Sequence, residues 1–144
     1  MFTVSESMII ERSPTQVFNT AADPDQQLVW DSGMLKSVEK LTPGPLGPGT
    51  RYRGDFKGFG VVEYEFSEFE PDRRFAHHAL MKFGDTRHIF EFETVPEGTR
   101  FTQSLIVQPK GIAKIVAPLM KPIIKRRLHT IAVEIKSYFE TEGR

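Results

Sequence analysis

Two imidazoles and a phenol lie in stretches of alternating residues that read as β-strands. Tyr64, His77 and His88 each fall on the apolar side of their stretch, since residues two positions apart share one face of a strand. An imidazole exchanges a proton near neutral pH and a phenol can donate one, so these three are the candidates for general acid–base catalysis. The same pattern is also typical of ordinary semi-buried polar residues that hydrogen-bond to their neighbours.

The expected strand pairing argues against a paired-histidine site. A hairpin centred on Gly84-Asp85 would place His77 opposite Glu91 or Phe92 and not opposite His88. The sequence shows no cluster with the spacing of metal ligands and no nucleophile elbow, so neither a metal nor a cofactor is predicted. His78 and His129 are expected on the surface.

Two other patterns are better explained by structure than by chemistry. Glu63 and Glu65 alternate with Tyr64 and should face solvent, where arginines of adjacent strands can pair with them, so a glycosidase-like carboxylate pair is not expected. The loop 43–49 is rich in glycine and proline but lacks the Gly-Lys-Ser/Thr ending of a phosphate cradle and precedes a strand. We interpret it as a stiff turn.

The composition excludes several classes of protein. The chain has 144 residues, with 19 basic and 19 acidic side chains, no cysteine and 12 phenylalanines. A balanced charge gives no argument for nucleic-acid binding, and none is predicted. The lack of cysteine excludes disulfides and thiolate metal sites and fits a reducing compartment, so we expect a cytoplasmic protein without a secretory signal. The phenylalanines indicate a core or a cavity wall built from large rings.

Periodicity and turn residues give the order of the elements. A first strand over residues 2–12 is followed by a short helix from Ser13-Pro14 and a second from Asp23-Pro24 to Trp30. Six further strands are predicted over residues 35–41, 50–56, 61–69, 74–82, 86–94 and 99–107. A long amphipathic helix begins near Ile112, with a break or kink expected at its two internal prolines.

This order predicts one α+β domain over residues 1–144. A seven-stranded, curved antiparallel sheet should wrap around the long C-terminal helix, with two short helices between strands 1 and 2. Sheet twist makes the apolar face a trough that one helix cannot fill from end to end. We therefore expect a cavity between the sheet and the helix.

The ordered landmarks along the chain resemble the START-like, birch-pollen-allergen-like superfamily (SRPBCC), specifically its polyketide cyclase/dehydrase and lipid-transport branch. The landmarks are Ser13-Pro14-x-x-Val17-Phe18, Asp23-Pro24, Trp30-Asp31, Gly44-Pro45-x-Gly47-x-Gly49-Thr50, Glu63-Tyr64-Glu65-Phe66, Glu70-Pro71, Phe90-Glu91-Phe92 and Gly98-Thr99-Arg100-Phe101-Thr102. The resemblance implies a helix-grip fold with a hydrophobic pocket. It implies no single activity, because members include carriers, cyclases and sensors.

Strand faces and the helix stripe give the candidate ligand-binding residues. They are Trp30, Tyr64, Phe66, His77, Met81, His88, Phe90, Phe92, Phe101, Gln103, Leu119 and Ile123. Mostly apolar walls with a few placed polar groups are what a ligand pocket requires.

Three functional hypotheses remain open from the sequence. The first is a carrier or sensor that binds a hydrophobic small molecule such as a lipid, an isoprenoid or a polyketide-like aromatic. The second is a polyketide cyclase or dehydratase with His77, His88 or Tyr64 as acid or base, and the third is a regulatory protein-interaction module. The long helix carries a group of basic residues, namely Lys121, Lys125, Arg126 and Arg127. This group is either part of the solvent-exposed face of the helix or a site of transient membrane contact. No oligomeric state is predicted.

Overall fold

A computed structural model describes residues 1–141 and shows a seven-stranded antiparallel sheet in the order β1-β7-β6-β5-β4-β3-β2. The elements are β1 (Phe2–Ile10), α1 (Pro14–Ala22), α2 (Pro24–Trp30), β2 (Leu35–Lys40), β3 (Arg51–Phe56), β4 (Gly60–Glu70), β5 (Arg74–Met81), β6 (Gly84–Val95), β7 (Gly98–Pro109) and α3 (Ala113–Thr141). The predicted α+β helix-grip architecture is confirmed. The curved sheet faces the long C-terminal helix, and the two short helices lie between the first two strands.

Both short helices begin at the residues that the sequence indicates. Ser13 accepts a hydrogen bond from the backbone N–H of Gln16, and the Gln16 side chain accepts one from the backbone of Ser13, which forms a capping box. Asp23 caps α2 by accepting from the N–H of Asp25. These contacts satisfy N–H groups that a helix start leaves without partners.

The β5–β6 hairpin has a different register from the predicted one. Met81 pairs with Gly84, so the turn consists of the two residues between them and is not centred on Gly84-Asp85. Gly84 has a φ of 151°, and a Cβ atom on it would lie 2.2 Å from the backbone oxygen of Gln108. The glycine therefore permits the close approach of β7, and its presence does not mark the turn. The expectation that His77 lies opposite Glu91 or Phe92 is wrong, because His77 pairs with His88.

Phenylalanine rings form the core at one end of the sheet. The Phe18 ring of α1 meets the rings of Phe69, Phe75 and Phe92 edge to face, with centroids 5.2–5.6 Å apart. The C-terminal part of α3 closes this end with the buried side chains Ala132, Ile135 and Phe139. This end of the trough is filled.

The N-terminal half of α3 does not join that core. The helix continues through Pro118 and Pro122, so it has no break at the prolines, and the alternative of a kink stays a prediction. The carbonyl groups that the prolines leave without a helical partner belong to Lys114 and Pro118, both of which are exposed residues where water can hydrate them. The stripe residues Ile115 and Leu119 are 80% and 71% exposed, so the stripe is buried only in its C-terminal half.

The outer face of the sheet carries the predicted ion pairs. Glu63 accepts from Arg51 at 3.2 Å and from Arg53 at 3.1 Å across the β3–β4 pairing. His78 and His129 lie at the surface beside Asp85 and Glu6, as expected. Exposed pairs of this kind contribute little to stability, about 0–1 kcal/mol each.

Candidate functional site

A cavity of about 330 Å³ lies at the unfilled end of the trough, between the concave face of the sheet and the helices α2 and α3. Its wall is mainly aromatic and aliphatic. Trp30 of α2, Phe90 of β6 and Ile124 and Leu128 of α3 contribute to it. Small-molecule sites have volumes of roughly 300–1,000 Å³ and predominantly apolar walls with a few polar groups, so this cavity is of the right kind at the small end of the range.

The candidate ligand-binding residues divide into three groups in the structure. Seven of them line the cavity, namely Trp30, Tyr64, His77, Met81, His88, Phe90 and Ile123. Four others lie away from its wall in the buried interior, namely Phe66, Phe92, Phe101 and Gln103. Leu119 also lies outside the cavity wall, because the part of α3 that carries it turns that side chain to solvent. Face alternation does not reveal how far along a strand the cavity extends, and the ligand contacts of all twelve residues stay predictions.

Trp30 has both a structural and a lining role. Its indole N–H donates to the backbone oxygen of Thr20 at 2.9 Å, which fixes the ring between the two short helices. The same ring lines the cavity. Trp30 therefore both anchors the short helices and forms part of the cavity wall.

An ion pair that the sequence analysis did not identify joins α2 to α3 at the cavity wall. Both terminal nitrogens of Arg127 donate to the carboxylate of Asp31, at 3.1 and 2.8 Å. Gln27 adds a third donor at 3.0 Å, and Gln27 and Arg127 both line the cavity. The Asp31 side chain is 2% exposed, so its charge depends on these partners.

One signal in the sequence could have revealed Arg127. Arg127 lies three positions after Ile124 and four before Ile131, so it falls on the buried stripe of α3. The prediction that it belongs to the basic group on the helix did not take this position into account. A charged residue on the apolar side of a helix requires a buried partner. The partner itself, 96 residues earlier in the chain, could not be found from helix periodicity.

A chain of hydrogen bonds fixes the tautomer of His88. The amide nitrogen of Gln103 donates to the backbone oxygen of Leu128 at 2.8 Å, so the amide oxygen faces Nε2 of His88, 3.1 Å away. Nε2 must therefore carry the proton, which leaves the lone pair on Nδ1. Burial lowers the pKa of His88 to about 3. The hydrogen bond that His88 donates to Gln103 opposes this shift, and the charge of Arg127 adds to it. The imidazole is neutral at neutral pH.

His77 and Tyr64 bring unpartnered polar atoms to the same wall. Their ring centroids are 4.7 Å apart, and the His77 and His88 rings are 6.4 Å apart. Within residues 1–141, the buried Nε2 of His77 and the buried hydroxyl of Tyr64 have no hydrogen-bond partner. Burial, together with His88, lowers the pKa of His77 to about 3, and burial raises the pKa of Tyr64. The three side chains form an uncharged polar cluster in an apolar cavity, and we call them the His–His–Tyr cluster.

Residues 1–141 contain no group of three or more histidine or carboxylate side chains placed so that they could hold a metal ion. No helix within these residues is both long and apolar enough to cross a bilayer.

Comparison with known proteins places this fold and cavity in a family. The family model for polyketide cyclase / dehydrase and lipid transport matches residues 1–138. The chain belongs to this family. A curated relative of this family member is the uncharacterised protein Rv2574 of Mycobacterium tuberculosis. The two are 25% identical over 130 residues, which cover 88% of the present chain and 77% of the relative.

Solved structures share the fold of this family member. TTHA0849 from Thermus thermophilus matches with a TM-score of 0.80 at 17% identity, covering 99% of this chain and 100% of that one. Ara h 8.0201 matches with a TM-score of 0.73 at 16% identity, covering 95% and 96%. At these identities the likeness shows the shared helix-grip fold, and the predicted family resemblance is confirmed by the family model.

Proposed function

We propose that residues 1–144 act as one domain that binds a hydrophobic small molecule in the cavity, as a carrier or sensor. The observation that carries the proposal is the cavity of about 330 Å³ with an apolar wall, next to a buried hydrophobic core. Burying an apolar ligand there is favourable by about 25 cal/mol per Å² of apolar surface. A lipid, an isoprenoid or a polyketide-like aromatic is the ligand class, and the cytoplasm is the proposed compartment.

The register of the β5–β6 hairpin supports a second candidate, a cyclase or dehydratase. It places His77 directly opposite His88, beside Tyr64, in the wall of the cavity. A neutral imidazole can accept a proton and the Tyr64 hydroxyl can donate one, although the lowered pKa of His88 makes it a weaker base and the raised pKa of Tyr64 makes it a weaker acid. Cyclisation of a flexible substrate would gain further from being held in a folded conformation. The presence of a cavity also favours both of these proposals over an interaction module with a filled interior.

Filling the cavity is the direct test of ligand binding. Ala79 lines the cavity, so Ala79→Phe should place a ring in it and abolish binding of an uncharged hydrophobic probe such as N-phenyl-1-naphthylamine. Leu80→Phe is the matched control, because Leu80 is the next residue on the same strand and is 76% exposed. Isothermal titration measures the affinity. Equal binding by both variants would show that the cavity is not the site.

Native mass spectrometry of the same two proteins separates a binder from an enzyme. The Leu80→Phe control should retain a lipid-sized mass that the Ala79→Phe variant lacks. A compound that is released unchanged supports the carrier or sensor. A compound that is released with the loss of one water, after incubation of the protein with a linear poly-β-keto thioester, supports the dehydratase.

We further propose that the N-terminal half of α3 makes transient contact with an anionic membrane. Residues 110–133 contain six basic residues and no acidic one, and exposed apolar side chains lie among them, including Ile112, Ile115 and Leu119. Ile123 belongs to the same exposed set and also lines the cavity, so this surface borders the ligand site. Basic and apolar groups together are what an anionic bilayer surface attracts.

Vesicle sedimentation tests the membrane contact. Vesicles of phosphatidylcholine with phosphatidylserine should bind the protein. Vesicles of phosphatidylcholine alone should bind it with an affinity that is lower by about fivefold or more. The double variant Ile115→Glu/Leu119→Glu should lose the binding, whereas the control Val29→Glu/Leu80→Glu, also at exposed apolar positions, should retain it. Binding that is insensitive to phosphatidylserine, or that both variants retain, contradicts the proposal.

A further inference from the structure

The His–His–Tyr cluster is the one part of the cavity wall with unmet hydrogen-bonding capacity in the described chain. The Tyr64 hydroxyl and Nε2 of His77 are buried without partners among residues 1–141, and both side chains line the cavity. His88 adds an acceptor, because its Nε2 proton is committed to Gln103. Buried polar atoms without partners are costly, and a ligand group that hydrogen-bonds to them removes that cost.

The cavity wall offers no free charge to a ligand. Both histidines are neutral at neutral pH, and the charge of Arg127 is matched by Asp31 through two hydrogen bonds. A carboxylate or an ammonium group would lose its hydration on entering and would gain no counter-ion. A hydroxyl or a carbonyl group loses much less, and the cluster can replace its hydrogen bonds to water.

We propose that the His–His–Tyr cluster selects an uncharged ligand that carries a hydroxyl or carbonyl oxygen on a hydrophobic skeleton. The oxygen accepts from the Tyr64 hydroxyl, and a ligand hydroxyl in turn donates to an imidazole nitrogen. Neighbouring side chains cover the two unpartnered atoms, so binding shifts side chains at the cavity wall. This inference rests on the proposed binding function and names the chemistry of its ligand.

Three probes of the same size and different polarity test the inference. Naphthalene, 2-naphthol and 2-naphthoate share one skeleton, and at pH 7.5 the first two are neutral and the third is an anion. By isothermal titration, 2-naphthol should bind about tenfold more tightly than naphthalene, the value expected for relieving one buried polar group. The naphthoate should bind more weakly than the naphthol.

Two tyrosine variants assign the preference to the cluster. Tyr64→Phe should bring the affinities of naphthol and naphthalene to within about threefold of each other, with naphthalene unchanged. The variant should fold, since it removes a hydroxyl that has no partner among residues 1–141. Tyr52→Phe is the matched control, because the Tyr52 ring stacks on Tyr64 at 5.9 Å but does not line the cavity, and it should keep the preference.

The outcomes separate this inference from the binding function. If naphthalene binds as tightly as naphthol, if naphthoate binds as tightly as naphthol, or if Tyr64→Phe keeps the preference, the inference is overturned and the cavity remains a binding site. If none of the three probes binds, or if Ala79→Phe binds them as the natural protein does, the binding function fails and the inference fails with it.

Discussion

Arg127→Ala should lower the free energy of unfolding by about 3–5 kcal/mol, because it leaves the Asp31 carboxylate buried without its counter-ion. Asp31 is 2% exposed and would keep only the side-chain bond from Gln27. The loss should be larger than that of a surface ion pair, since water cannot replace the missing guanidinium. Urea denaturation at pH 7.5, monitored by circular dichroism, measures the difference.

Two further variants show whether the buried charge is the cause. Arg126→Ala changes the adjacent, exposed residue of the same helix and should alter stability by no more than about 0.5 kcal/mol. Asp31→Leu/Arg127→Met removes both charges at once and should recover most of the loss, because no unpaired charge remains. A cost for Arg127→Ala that equals the cost for Arg126→Ala would show that the pair does not hold α2 to α3.

Acidification from pH 7.5 to 5.0 should destabilise the protein by about 4 kcal/mol, with about 2 kcal/mol from each of His77 and His88. The pKa of each imidazole is near 6.5 in the unfolded chain and about 3 in the fold. The unfolded state therefore takes up protons as the pH falls below about 6.5, while the folded state does not. The stability conferred by the neutral buried rings is present above pH 6.5 and is lost progressively below it.

A variant of one cavity histidine tests the source of this pH dependence. His77→Gln should reduce the slope by about half. Proton NMR of the folded protein should show that neither cavity imidazole titrates above about pH 5, and a cavity imidazole that titrates near pH 6.5 contradicts the assignment.

The Asp31–Arg127 ion pair and the neutral histidines together determine the charge of the cavity wall. The Asp31–Arg127 pair keeps a cation beside His88, and that cation helps to keep the imidazole neutral. Loss of the pair would change both the attachment of α2 and the charge state of the wall. Neutral imidazoles can accept a hydrogen bond, so the electrostatics fit an uncharged ligand, whereas the lowered pKa of each ring makes it a weak base for the cyclase alternative.

The strands and their inward faces were predictable because they depend on local geometry. Tyr64, Phe92 and Phe101 alternate with solvent-facing neighbours, and the structure buries all three. Helix starts at Ser13 and Asp23 were predictable for the same reason, since a capping side chain bonds to an N–H group two or three residues away. Neither feature requires knowledge of a distant part of the chain.

The register of the β5–β6 hairpin was not predictable, because a distant strand decides it. Gly84 looked like a turn residue, but the requirement for glycine comes from the backbone of Gln108 on β7. A shift in the expected turn separated His77 from His88 in the sequence analysis, although the two face each other in the sheet. The His–His–Tyr cluster could therefore be recognised only from the tertiary structure.

By itself, the sequence determined the element order and which strand residues face inward, because these follow from periods of two and 3.6 residues and from short turn and cap signals. It also carried the resemblance to the family, through an ordered set of motifs, and the family model confirms that resemblance. Only the tertiary structure decided where the trough is filled and where it is open. It also decided that Arg127 meets Asp31 and that Leu119 lies in solvent. The physical reason is that cavities and buried ion pairs arise from packing between segments far apart in the chain, which no local pattern encodes.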